Sequence, residues 1–218
     1  MMAPAFWPDM MRTGGFMPSL YDIKPRFQGL LRPTAARLAR KGISANAVTL
    51  AAAGLSVLLG LVVAITGWPW LLLLYPPFLL LRMALNAIDG MLAREFFRPT
   101  PLGALLNEIG DMVSDAALYL PLALLLPAPP WLVVVIVLLA MVGEAAGIAG
   151  RTIGAGRRYD GPFGKSDRAL AFSILAVAAF FQVLAPALWM PLVLGALLLL
   201  SILTILNRVR AALAEIGA

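Results

Sequence analysis

Arg82, Asn86 and Asp89 form one cluster of polar side chains in an otherwise apolar stretch of this chain, and Asn107, Glu108, Asp111 and Asp115 form a second. On a helix turning 100° per residue, the first three fall within about 60° of one another. Asn107, Asp111 and Asp115 recur every four residues, so they make a slowly turning stripe, with Glu108 beside Asp115 and Gly103 one turn away on the same side. Only the short segment 94–101 separates the two stripes. The helices that carry them are therefore expected to run antiparallel, with the stripes meeting at one depth. Carboxylates and amide oxygens gathered there repel one another unless a counter-charge is present. One or two divalent cations would supply it, and a ligand set made only of oxygen favours hard ions such as Mg²⁺ or Mn²⁺. The chain has no Cys and no His. Thiolate nucleophiles, disulfides and zinc–thiolate sites are thereby excluded, and a carboxylate is the obvious general base. The same residues also admit a structural reading, as buried hydrogen bonds and an ion pair of Arg82 with Glu108 or Glu144. A third reading makes them a proton or ion pathway. Against that reading, both spans are purely apolar beyond the stripes.

The elements that must position these residues follow from composition. Apolar residues make up 61% of the 218 and charged residues 13%, far from the balance of a soluble domain. The expected fold is an all-α integral membrane protein with six transmembrane helices, at about 45–65, 70–93, 102–126, 131–152, 169–188 and 190–207. An amphipathic helix over 24–42, with Phe27, Leu30, Leu31, Thr34 and Leu38 on one side, is expected to lie in the membrane interface. Residues 1–23 are expected to be a disordered tail, 43–210 the membrane domain and 211–218 a C-terminal tail. The connectors alternate. Thr66–Pro69, Pro127–Pro130 and Val183–Trp189 carry no charge, and every Lys and Arg except Arg82 lies in or beside the other set. The positive-inside rule places both termini, and the polar stripes with them, on the cytoplasmic side of a multi-pass membrane protein. Trp68, Trp70, Trp131 and Trp189 gather at the opposite interface as an aromatic belt. The +6 net charge is explained by this bias and by attraction to anionic lipid, so no nucleic-acid partner is implied.

The run Asn86-x2-Asp89-Gly90-x2-Ala93-Arg94-x8-Gly103-x3-Asn107-x3-Asp111 resembles the signature of the CDP-alcohol phosphotransferases, also called CDP-alcohol phosphatidyltransferases, D-x2-D-G-x2-A-R-x8-G-x3-D-x3-D. All spacings match over 26 residues and six of the eight fixed positions match in identity. Asn86 and Asn107 stand where the family has aspartate. Ser44-Ala45-Asn46-Ala47-Val48-Thr49 looks like the family's Pro-Asn-x-x-Thr start, with Ala45 in place of Pro, and the resemblance extends over roughly 25–207. It implies metal-dependent transfer of a phosphatidyl group from CDP-diacylglycerol to an alcohol, with release of CMP. By this resemblance Asp89, Asp111, Asn86 and Asn107 would hold one or two Mg²⁺ or Mn²⁺ ions, and Asp111 would be the base. Asn46, Thr49, Gly90, Ala93, Arg94 and Gly103 would contact the CDP-lipid. Arg151, Arg157, Arg158, Lys165 and Arg168, in and beside the loop after the fourth span, would line the pocket of an acceptor such as glycerol 3-phosphate or inositol phosphate. Glu108 and Asp115 are candidates to restore the charge missing at the two Asn positions. The resemblance also implies a bacterial-type inner membrane and a homodimer. Gly143, Gly147, Gly150 and Gly154 permit close helix contact, either within the subunit or across such a dimer. Two other functions compete with this one: a non-catalytic CDP-lipid or metal-binding membrane protein, and a small ion-coupled transporter.

Overall fold

The structure, a computed structural model, describes residues 20–217. Most of the N-terminal tail expected over 1–23 therefore lies outside the described residues. Seven α-helices follow in order: α1 Leu20–Arg40, α2 Ala45–Thr66, α3 Tyr75–Met91, α4 Pro101–Tyr119, α5 Pro130–Ala149, α6 Lys165–Phe180 and α7 Pro186–Glu215, with no strand among the described residues. Short 3-10 turns extend several of them, and a π-helical turn, Leu92–Phe96, ends α3.

Local chemistry sets most of these boundaries. The Ser44 hydroxyl accepts from the Ala47 amide at 3.2 Å and so caps α2, and Gly67 closes the helix in the left-handed region. Thr100 caps α4 by accepting from the Gly103 amide at 3.0 Å, with Pro101 at the first helical position. The Asp167 carboxylate accepts from the Gly164 amide at 2.9 Å and fixes the start of α6.

Four helical stretches are long and apolar enough to cross a membrane: Ala45–Thr66, Pro69–Phe96, Pro130–Ile153 and Pro186–Glu215. The third and fifth expected spans differ in character. The α4 helix carries Glu108, Asp111 and Asp115, which lowers its mean hydropathy. The α6 helix has 16 residues, about 24 Å of helix, short of a ~30 Å hydrocarbon layer. The helix expected over 169–188 starts earlier, at Lys165, and breaks after Phe180, where Gln182, Leu184 and Ala185 take positive φ. At the other end, α7 continues to Glu215 instead of giving way to a tail at 211.

The α2 helix packs against both α3 and α4, α5 packs along α7, and α6 packs on α3. Gly60 makes the α2–α4 crossing possible, since a Cβ there would lie 1.9 Å from the Ala117 carbonyl oxygen. The main core includes Tyr75, Leu118, Tyr119, Ile136, Phe172 and Leu194. Within it Tyr119 stacks on Phe172 at 4.6 Å, and the Tyr75 hydroxyl donates to the Leu118 carbonyl at 2.8 Å. A second, smaller core joins α1 to the ends of α2 and α3 through Ala35, Val48, Ile88, Met91 and Leu92. Leu58, Leu138, Leu188 and Leu199 project from the outer surface, an apolar exterior that a lipid phase would cover.

Candidate active site

Asp111 is the point where three helices meet. Asn86 on α3 donates its amide to Asp111 Oδ1 at 2.9 Å. Lys165, the first residue of α6, forms an ion pair with that same oxygen. Arg82 Nη2 donates to the Asp111 backbone carbonyl at 3.0 Å and lies 3.5 Å from Oδ1. The α3 and α4 stripes therefore do meet, as their spacing predicts. They meet through long polar side chains, while the backbones of both helices pack mainly on α2.

Asp89 lies one turn beyond Asn86 and is buried. Its Oδ2 accepts a hydrogen bond from the Thr49 hydroxyl at 2.8 Å, which ties α3 to α2. The two glycines expected to leave room for a nucleotide are packed against the chain's own side chains. A Cβ at Gly103 would come within 2.8 Å of Asn46 Oδ1, and one at Gly90 within 2.8 Å of the Arg94 guanidinium. Asn46 and Thr49 are thus brought against α4 and Asp89, and Arg94 folds back along its own helix. Ala93 is half-buried beside it, and Asn107 is half-buried one turn before Asp111.

Asp89, Asp111 Oδ2 and the amide carbonyls of Asn86 and Asn107 are the oxygens that could hold a cation here. This all-oxygen set suits a hard divalent ion. Among the described residues no three acidic side chains group in a way that would hold a metal, so a cation here would need the two amides as well.

Glu108 and Asp115 differ from the expected charge compensators. Asp115 is 4% exposed. Its Oδ2 accepts from Arg168 at 2.7 Å, and Arg82 Nη1 sits 2.6 Å from its Oδ1 in an ion pair. Glu108 is held by Arg157 at 2.5 Å. Both carboxylates already have cationic partners inside the chain. Arg82, read from the sequence as a partner of Glu108 or Glu144, pairs instead with Asp115 and Asp111 of α4, while Glu108 is taken by Arg157 and Glu144 by Arg157, Arg168 and Arg208.

Most of the expected acceptor residues are also engaged. Arg168 is 2% exposed and bridges Asp115 to Glu144, the latter at 3.1 Å, so it stands behind the site instead of facing an acceptor. Arg157 bonds Glu108 and, at 3.3 Å, Glu144, with its guanidinium 4.3 Å above the Tyr159 ring. Arg158 bonds Asp160 at 2.9 Å and Glu215 at 2.6 Å. The Arg158 guanidinium beside Asp160 holds that carboxyl below the usual carboxylate range. Lys165 remains partly open beside Asp111, and Arg151 is exposed at the end of α5.

Sequence reasoning missed Arg208 and the role of Glu144 as a hub. Arg208 donates to the Gly143 carbonyl at 2.6 Å and lies 3.4 Å from Glu144. Its signal was present, because Ser201, Thr204 and Arg208 repeat along one buried face of α7. The glycines of α5 serve contacts within the subunit. Gly143 faces Ile205 and Arg208, and a Cβ on Gly147 would lie 2.6 Å from the Arg158 carbonyl oxygen. Gly143 and Gly147 therefore take the within-subunit alternative, while a Cβ at Gly154 would meet nothing within 4 Å.

Comparison with known proteins places this arrangement. The model of the CDP-alcohol phosphatidyltransferase family matches residues 43–207. The chain is 47% identical over 197 residues to the inner membrane protein YnbA of Escherichia coli strain K12, across 89% of this chain and 96% of that protein. Its fold is similar to crystal structures of the Mycobacterium tuberculosis phosphatidylinositol phosphate synthase PgsA1. With CDP-DAG bound, that protein superposes with a TM-score of 0.69 at 22% identity, over 86% of this chain and 95% of its own. In complex with manganese and citrate it gives 0.70 at 21% identity, over 86% and 90%. The match of the family model over most of the chain, and over both helices that carry Asp89 and Asp111, shows that this protein belongs to the CDP-alcohol phosphatidyltransferase family.

Proposed function

We propose that this protein transfers a phosphatidyl group from CDP-diacylglycerol to an alcohol, at the cytoplasmic side of a six-span protein in a bacterial inner membrane. The observation that carries this reading is the hydrogen bond of Asn86 on α3 to Asp111 on α4, with Asp89 one turn from Asn86 and tied to Thr49, within the segment that matches the family. The named relatives support it: one is an inner membrane protein, and the structural neighbour binds CDP-DAG in one crystal and manganese in another.

In this reaction the alcohol oxygen bonds to the phosphorus that carries the diacylglycerol. The bond from that phosphorus to the bridging pyrophosphate oxygen breaks, and CMP leaves with that oxygen. The alcohol proton passes to Asp111 at Oδ2, the oxygen that Asn86 and Lys165 leave open. Asp89, Asp111, Asn86 and Asn107 would hold the Mg²⁺ or Mn²⁺, which supplies positive charge to the pyrophosphate as the bond breaks. Thr49 orients Asp89 through its hydroxyl. Arg94, exposed at the end of α3, is placed to meet the nucleotide phosphate. The basic loop after α5 supports an anionic acceptor, such as a phosphorylated polyol, approaching between Arg157, Arg158 and Lys165. Arg168 shapes this wall from behind.

The test is incubation of purified protein with radiolabelled CDP-diacylglycerol, Mg²⁺ and a panel of alcohols, followed by identification of the lipid product. A new phospholipid together with CMP supports transfer. Binding of CDP-diacylglycerol with no CMP from any alcohol or from water would instead identify a non-catalytic CDP-lipid-binding protein.

A further inference from the structure

The charge around Asp111 leads one step further, and the step rests on the transfer reading above. Asp111 Oδ1 receives the Asn86 amide at 2.9 Å and the Lys165 ammonium, with Arg82 3.5 Å away. A carboxylate oxygen offers about two lone-pair positions, so this oxygen is filled before any metal arrives. Lys165 is held there by a fixed backbone. The Phe163 amide donates to Thr204 Oγ1 at 3.0 Å, and Asp167 caps the helix at the Gly164 amide at 2.9 Å. Gly161, at φ +131, lies so close to α7 that a Cβ would be 2.6 Å from Thr204. The ammonium is therefore delivered by a loop anchored on α7 and by the first turn of α6.

Among the described residues, Asp111 Oδ2 and one oxygen of Asp89 take no side-chain hydrogen bond. Both oxygens of Asp115 are taken by Arg82 and Arg168, and Arg157 holds Glu108 through Oε2. In two-metal sites the ions sit about 3.5–4 Å apart and share carboxylate ligands. Here the shared ligand would be Asp111, and a second dication on it would face an ammonium and a guanidinium. We infer that Lys165 takes the place of a second metal ion: the site holds one divalent cation, centred on Asp89, and the Lys165 ammonium beside Asp111 supplies the other positive charge to the pyrophosphate.

The test counts ions in the full-length protein in detergent, with Mn²⁺ as the probe and CDP present. Electron paramagnetic resonance and equilibrium dialysis should give one Mn²⁺ per chain with the six-line spectrum of an isolated ion. Lys165→Met should admit a second Mn²⁺ and show a spin-coupled spectrum, and Lys165→Arg should return the count to one. Two coupled ions in the unsubstituted protein, or none, would overturn the inference, and this result does not depend on whether any variant folds. CMP release measured on the same samples separates the two claims. One ion bound without any release contradicts the transfer reading and leaves the ion count standing. Release with two coupled ions contradicts only the role given to Lys165.

Discussion

Two polar clusters lie side by side in this bundle, built from the same kinds of side chain but balanced differently. In the inner one, Arg82, Arg168 and Arg208 surround Asp115 and Glu144, and Arg157 closes Glu108 against Glu144. Each of these carboxylates has a guanidinium partner from another helix or loop, and Arg82 alone of these arginines also reaches Asp111 in the outer cluster. In the outer one, Asp111 Oδ2 and one oxygen of Asp89 take no side-chain hydrogen bond among the described residues, and the Asn86 amide stands beside them. A closed network locks helices together. An open one retains affinity for a cation and a proton. Burial alone does not tell the two apart, since Asp115 and Asp89 are both 4% exposed; their partners do.

The comparison can be broken first at its two aspartates on α4. Asp111→Asn keeps the shape of the side chain and removes its basicity, so turnover should fall ~10²–10⁴-fold while CDP-diacylglycerol binding and the melting temperature hold. A wild-type rate in this variant would remove Asp111 as the base. Asp115→Asn should do the reverse, because it leaves Arg82 and Arg168 buried with one charge uncompensated. Loss of one partner of a buried pair costs about 3–5 kcal/mol. Thermal unfolding in detergent should drop sharply, with the surviving folded fraction still binding Mn²⁺. Glu144→Gln should behave like Asp115→Asn, since it removes the charge that holds three arginines.

Smaller changes sharpen the same division. Ser44→Ala removes the cap of α2, whose first turns carry Asn46 and Thr49. A lost cap costs about 1 kcal/mol, and nucleotide affinity should weaken along with stability if those turns belong to the open site. The smallest effect is at Asp160, outside both clusters. Its carboxyl is held below the usual range by Arg158. A lowered folded-state value means that the ionised form is favoured by folding. The contribution is present above the unfolded pKa, near 4, and is lost as pH falls through the lowered folded value. An exposed pair of this kind contributes at most about 1 kcal/mol. Asp160→Asn should therefore flatten the acid limb of the melting-temperature profile slightly.

Much of the scaffold was legible in the sequence, and much of the charge pairing was not. The α2 helix begins at Ala45 and ends at Thr66, against an expected 45–65, because Ser44 and Gly67 punctuate it unambiguously. The break between α6 and α7 was misplaced. Hydropathy is nearly constant across 169–207, and the chain turns at three residues with positive φ, none of them glycine. The convergence of Asn86 with Asp111 followed from helical periodicity and a short turn. The pairing of Lys165 with Asp111 and of Arg82 with Asp115 did not, because a helical wheel gives the face of a residue and not the identity of the helix opposite. Gly90 and Gly103 show the same limit. Their small size was readable, but the side chains that fill the space, Arg94 and Asn46, depend on tertiary packing.

The central claim is that the open cluster around Asp89 and Asp111 cleaves a CDP-lipid with the help of a divalent ion. The direct measurement is CMP release from CDP-diacylglycerol vesicles by the reconstituted protein, before and after chelation with EDTA and again after Mg²⁺ or Mn²⁺ is restored. The account predicts release that disappears with the chelator and returns with either ion. CDP-diacylglycerol that binds but is never cleaved, or cleavage at an undiminished rate in excess chelator, would contradict it.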